Sequence, residues 1–227
     1  MNRIAVVTAI TGGYDDLVPH PKDDSVDWIA LVDHPVEHDG GWDVRVHRVS
    51  GHPRMAVKEF RMKHHLLLPE YDYTIAIDGN IHVKDGVQIG EMADWVTENP
   101  LALFRHADRN DLVDEAHFSQ RVPKYHGGLC DIEGIAYAEL GMPRHWGLWW
   151  CGLVVRRQCP EVAAFMDRWY NEVAWWSTDK VVVNDQISFP WVAYQMDMRP
   201  NGLPVDTYAN RHVENRWTYL GTHLRND

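Results

Sequence analysis

Asp78-Gly79-Asn80 closes an apolar run, Tyr73-Thr74-Ile75-Ala76-Ile77, which resumes as Ile81-His82-Val83. In an extended segment, residues two apart point the same way. Asp78 and Asn80 would then offer two oxygens to one hard cation, and Gly79 would let a ligand reach the backbone. Mg²⁺ and Mn²⁺ take such donors and keep positions open for phosphates and water. The plainer reading is a turn between two strands, for which these residues are a common signal.

Other residues could share the chemistry. Lys58, Arg61 and His65 fall at i, i+3 and i+7 of one helical stretch, a cationic ridge that could meet a diphosphate or simply face solvent. Asp185 and Gln186 stand at an expected helix start, where a carboxylate could orient an acceptor hydroxyl or serve only in capping. "RHADRNDLVDEAHF" holds Arg105, His106, Arg109, Asp114 and Glu115. His212 and His223, near the C-terminus, are each open as a further metal ligand. Gly12-Gly13 permits a tight turn after the first strand, but it is neither a P-loop nor a GxGxxG fingerprint.

Strand-like runs occur at 4–10, 27–33, 42–49, 73–78, 101–105 and 148–157. Several are apolar without alternation, as in strands covered on both faces. Helical stretches lie between them. One opens at Pro53 and must end near Pro69; "VQIGEMADWVTEN" stops before Pro100. A third begins at Pro160, and a fourth runs through "DQISFPWVAYQM" behind Asn184 as cap. This alternation predicts an α/β fold with a mostly parallel sheet. The length of 227 residues suits one domain, 1–227, in which 201–227 reads as loops covering something.

Hydrophobic residues make up 45% of the chain, enough for a core. The net charge of -11 opposes sequence-blind binding to nucleic acid, without excluding a local basic groove. Eleven Trp could build that core or stack against a ligand in a cleft. Three cysteines without a CxxC pair favour a reducing compartment. No run is long enough for a signal peptide or membrane span, so the expectation is a soluble, cytoplasmic protein without a membrane partner.

"VVTAITGGYDDL", "DWIALVD", "AVKEFRMKHHLLLPEYDYTIAIDGNIHV", "FRHADRNDLVDEA", "WWCGLVVRR" and "DQISFPWV" stand in an order that resembles GT-A glycosyltransferases. More closely, it resembles a glycosyltransferase family of bacteria, phages and plants, whose plant members act in wall and mucilage polysaccharide formation. The resemblance covers most of 4–195, and 56–83 is its most specific part. It implies a single Rossmann-like GT-A domain that transfers a sugar from a nucleotide-diphosphate sugar, with UDP the expected nucleotide. The acceptor would be a hydroxyl of a glycan, a protein or a modified DNA base.

By the same match, Asp78 and Asn80 fall on the DxD positions that hold Mn²⁺ or Mg²⁺, with Asn80 replacing the second carboxylate. A neutral amide should grip the cation more weakly. Thr8, Ala9, Tyr14 and Asp33 fall where base and ribose are held. Lys58 and Arg61 lie on the helix that touches the donor, and 149–157 lines the acceptor side of the sugar. Asp185-Gln186 matches a pair beside the anomeric centre, and His212 or His223 would be the third metal ligand. The order of motifs is similar to that of retaining families; an inverting enzyme would need Asp185 or Glu115 as base. Asp78→Ala is expected to abolish metal-dependent nucleotide binding. Two rivals stand beside this reading: a metal-dependent hydrolase of the lipid amidase type, and a nucleotide-sugar-binding module without catalysis. Oligomeric state is left open.

Overall fold

The computed structural model describes residues 2–37, 40–203 and 217–219. Its strands are β1 (Ile4–Ile10), β2 (Asp27–Val32), β3 (Asp43–Val46), β4 (Tyr73–Ile77), β5 (Ile81–Val83), β6 (Leu101–Arg105), β7 (Trp149–Arg157), β8 (Asn201–Leu203) and β9 (Trp217–Tyr219). The helices are α1 (Pro53–Met62), α2 (His64–Leu67), α3 (Leu112–Ser119), α4 (Cys130–Glu139), α5 (Pro160–Trp176) and α6 (Asp185–Gln195).

Seven strands form one sheet in the order β3-β2-β1-β4-β7-β6-β8. β3, β2, β1 and β4 run parallel, and β7 lies antiparallel between β4 and β6. The apolar runs without alternation account for this: β1, β2, β4 and β7 are buried along almost their whole length. Each fully buried Val, Leu or Ile there contributes roughly 1.5–3 kcal/mol relative to exposure. Helices cover the sheet, so the α/β reading with a mostly parallel sheet holds.

The aromatic residues go mainly to the core. Trp149, Trp169, Phe165 and Phe189 pack ring against ring beneath α5 and α6. Trp28 stacks on His20 at 4.3 Å and meets Trp42 edge-on, which fastens the loop between β1 and β2.

Several elements differ from the sequence expectation. The helix opened by Pro53 ends at Met62, because Lys63 adopts φ -98°, ψ 38° and a separate short helix follows. The stretch after Val87 forms a 3-10 helix, Ile89–Val96, and a Cβ on its Gly90 would come within 2.6 Å of Ser25 Oγ. α3 and α4 had no forecast. The C-terminal stretch is not loop alone: β8 extends the sheet beside β6, and β9 pairs antiparallel with β5. Among the described residues, no helix is long and apolar enough to cross a membrane.

Candidate functional site

In an open α/β sheet, ligands bind beyond the carboxyl ends of the parallel strands. Here a cleft of about 590 Å³ opens at that edge. Its floor is the end of β1 (Ala9 to Gly12), the end of β4 (Asp78, Gly79) and the start of β7 (Trp150 to Gly152). β7 reaches the same edge because it is antiparallel: Ile77 is the register partner of Leu153, and Asp78 N–H donates to Gly152 O at 2.9 Å. Gly12, at φ 64°, lets the chain turn out of β1 against Pro53.

One wall is α1. Pro53 fits its first turn, and His52 caps it by accepting from Arg54 N–H. Arg54, Lys58 and Arg61, at i, i+4 and i+7, all line the cleft. Arg61 donates to Asp78 Oδ1 and to the Cys151 carbonyl. Lys58 Nζ lies 2.7 Å from Asp185 Oδ2. Burial pushes the Asp185 carboxyl up, but Lys58 and then Arg61 outweigh it and hold the group below the usual carboxylate range. Burial likewise pushes the Cys151 thiol well up, which leaves it inert as a nucleophile.

The opposite wall is a network centred on Glu115, which is 2% exposed. Its carboxylate accepts from Arg109 Nε (2.6 Å), Asn184 Nδ2 (2.9 Å), Gln186 Nε2 (3.0 Å) and Ser119 Oγ (3.4 Å). Gln186 Oε1 accepts from Cys151 N–H, so both ends of its amide are fixed. Asn184 caps α6 through Gln186 N–H. The start of α6 is therefore bolted to α3 and β7 at once.

The structure brings together Ala9, Tyr14, Lys58, Arg61, Asp78, Glu115, Asp185 and Gln186 on the cleft wall. It places others elsewhere. Thr8 is 3% exposed within β1, between Ala30 and Ile77, and does not reach the cleft surface. Asp33 is not among the cleft-lining residues and accepts, at 2.7 Å, from the N–H of Gly12, which is. His65 leaves the ridge because the helix breaks at Lys63; it sits 3.3 Å from Asp167 instead. Arg54 takes its place on the stripe. Of the Trp whose side chains are described, Trp150 lines the cleft.

Extended geometry does not apply at the Asp78 motif, because the chain turns at Gly79 and Asn80 and Ile81 N–H bonds back to Asp78 O. Asn80 is 4% exposed and is not among the residues that line the cleft. His212 and His223 lie outside the described residues. Among the described residues no group of three His, Cys, Asp or Glu side chains is placed to hold a metal. Asp78 Oδ1 also already accepts from Arg61. Among the described cleft residues, then, Asp78 offers a carboxylate already engaged by Arg61, and a divalent cation needs several converging oxygens.

Sequence reasoning missed Arg54, Lys124 and Tyr125, all on the cleft wall. Arg54 was findable, four residues before Lys58. Lys124 follows α3 in a stretch without periodicity, and tertiary packing alone brings it there.

A parallel half-sheet with a polar cleft at its carboxyl edge defines a Rossmann-like α/β protein. The chain belongs to the family described as TOD1/MUCI70, glycosyltransferase-like domain, whose profile matches residues 40–215. It is also 28% identical over 146 residues to the probable hexosyltransferase MUCI70 of Arabidopsis thaliana. That match covers 60% of this chain and 24% of the plant protein, so the chain spans about a quarter of its relative's length.

Proposed function

We propose that the chain is a hexosyltransferase that moves a sugar from a nucleoside-diphosphate sugar, with UDP the expected nucleotide, to an acceptor hydroxyl. The observation that carries this reading is the gathering of the α1 cations with Asp185 and Gln186 around one cleft at the sheet's carboxyl edge. Family membership supports it.

In such a transfer the bond between the anomeric carbon and the diphosphate breaks, and negative charge grows on the leaving phosphate. Fixed cations aimed at that charge lower the barrier; on this reading Lys58 and Arg61, which line the cleft, supply them. The acceptor oxygen forms the new bond, and its proton must go to a base. Neither carboxylate named as a base suits the task. Asp185 is ionised and held below the usual range by Lys58 and Arg61. Glu115 is saturated by four donors. So held, Asp185 takes up a proton poorly, while both Glu115 oxygens are already engaged by donors. This supports the retaining route, in which the departing phosphate accepts the proton. Gln186, fixed at both ends, positions polar contacts beside the reacting sugar.

The test is a melting-shift screen of nucleotide sugars, followed by acceptor-dependent release of nucleoside diphosphate and assignment of the product anomer. Stabilisation by a nucleotide sugar and a retained anomer are expected. No response to any nucleotide, or cleavage of a lipid amide without one, would sink the transferase reading. An inverted anomer would remove the retaining part alone.

A further inference from the structure

The α1 wall carries more positive charge than its ion pairs consume. Lys58 meets Asp185 and Arg61 meets Asp78, but among the described residues no carboxylate pairs with Arg54 or Lys124. These two side chains converge. Arg54 Nη1 donates to the Lys124 carbonyl at 2.8 Å, and both cations lie against the Tyr125 ring, at 4.9 and 5.1 Å from its centroid. Arg109, across the cleft, is held by Glu115. The carboxylates of Asp15 and Asp108 also line the cleft, Asp15 beside Gly79 rather than at this corner.

Like charges gathered in a half-buried corner repel, and a polyanion is what relieves them. Burial, then Arg54, then Lys58, press the Lys124 ammonium down from its ordinary range. Tyr125, 6% exposed, stiffens the corner from below. Arg54 uses one guanidinium N–H on the Lys124 carbonyl and keeps others for an incoming oxygen. The order along the wall is Lys124 with Arg54, then Lys58, then Arg61, a row of cations spaced to meet a diphosphate.

We propose that Arg54 and Lys124, with Lys58, form the diphosphate subsite of this cleft, and that nucleoside diphosphate binds there without a divalent metal. This rests on the nucleotide-sugar reading above, and the experiment separates the two. UDP and inorganic pyrophosphate are titrated calorimetrically into the whole chain, with excess EDTA and then with Mn²⁺. Both are expected to bind in EDTA. Arg54→Met and Lys124→Met should each weaken UDP roughly tenfold to a hundredfold, the loss of one charge-assisted hydrogen bond. Lys124→Arg should retain binding, and melting curves verify that each variant folds. Asp78→Ala should keep UDP binding in EDTA, since it removes a carboxylate that opposes the anion.

UDP binding that requires Mn²⁺, or that is lost in Asp78→Ala, overturns the proposal and leaves the transferase reading in place. Binding in EDTA that neither Met variant weakens also overturns it. Pyrophosphate binding in EDTA that falls in the Met variants, with no gain from any nucleoside, upholds the anion subsite and removes the nucleotide-sugar reading.

Discussion

Replacing Lys58 by Met keeps the length of the side chain and removes its charge. Lys58 Nζ lies 2.7 Å from Asp185 Oδ2, and the two side chains are only 12% and 8% exposed. At an effective dielectric constant of about 20, charges that close attract by about 6 kcal/mol. Desolvation offsets part of this, and removing one partner of a buried pair typically costs about 3–5 kcal/mol. Arg61 still attracts Asp185, which argues for the lower end. In a chain of this size, about 3 kcal/mol is roughly 6–12 °C in Tm.

The pH dependence fixes the cause. Asp185 has a depressed pKa in the native protein, so its contribution is present above the ordinary carboxylate pKa and is lost as pH falls through the depressed value. In Lys58→Met, burial is opposed by less charge, and the carboxyl titrates at higher pH. The gap in Tm between wild type and variant should therefore narrow as pH falls from neutral into the carboxylate range. Lys58→Met with Asp185→Leu should recover much of the loss, because an apolar pair can replace a buried ion pair. Thermal melts of the three proteins across this range are the assay. A loss under about 1 kcal/mol, typical of exposed pairs, with no pH dependence would refute the reasoning.

Glu115→Gln should lower stability by about 1–3 kcal/mol, since Arg109 loses its counter-charge, yet leave sugar transfer within about tenfold of wild type. A loss of 10²–10⁴-fold, the usual contribution of a general base, would contradict its structural role. Gly134→Ala puts a Cβ 2.4 Å from that of Ala116, where α4 crosses α3, and should cost about 1–3 kcal/mol. Ala116→Gly in the same chain should restore Tm. Burial pushes the Glu133 carboxyl well above its ordinary pKa, so the native state holds a proton that the unfolded chain releases. Wild-type stability then falls as pH rises above the ordinary carboxylate value, by up to about 1.4 kcal/mol per unit until the raised pKa is reached. Glu133→Gln should remove that loss, matching wild type near pH 4 and exceeding it at neutral pH; equal pH profiles in denaturant melts would count against it.

Much of the scaffold was legible because burial on both faces leaves continuous apolar runs, as in β1, β2, β4 and β7. Proline marked the starts of α1 and α5, and Asn184 marked α6. α3 escaped because its charged residues drew attention as chemistry, although Asp111 caps it through Val113 and Asp114 N–H. The break at Lys63 has no glycine or proline to announce it, so the ridge was drawn one step too far along, through His65 instead of Arg54. Strand alternation does not carry through Asn80, since the chain turns at Gly79 and Asn80. Glu115 was singled out from its neighbours in sequence, but two of its four donors, Asn184 and Gln186, come from a distant segment, and only packing reveals that it ties α3 to the start of α6.

The antiparallel insertion of β7 also decides when the molecule becomes safe from itself. Tyr73 and Arg157 are register partners, so β4 waits for a strand made long after it. During synthesis the apolar edge of Tyr73–Ile77 stands open, a template for pairing with another chain. Contacts so distant in sequence also form slowly. The strand that completes the cleft floor is thus the one that closes off aggregation, and fragments ending before residue 149 should accumulate as insoluble protein.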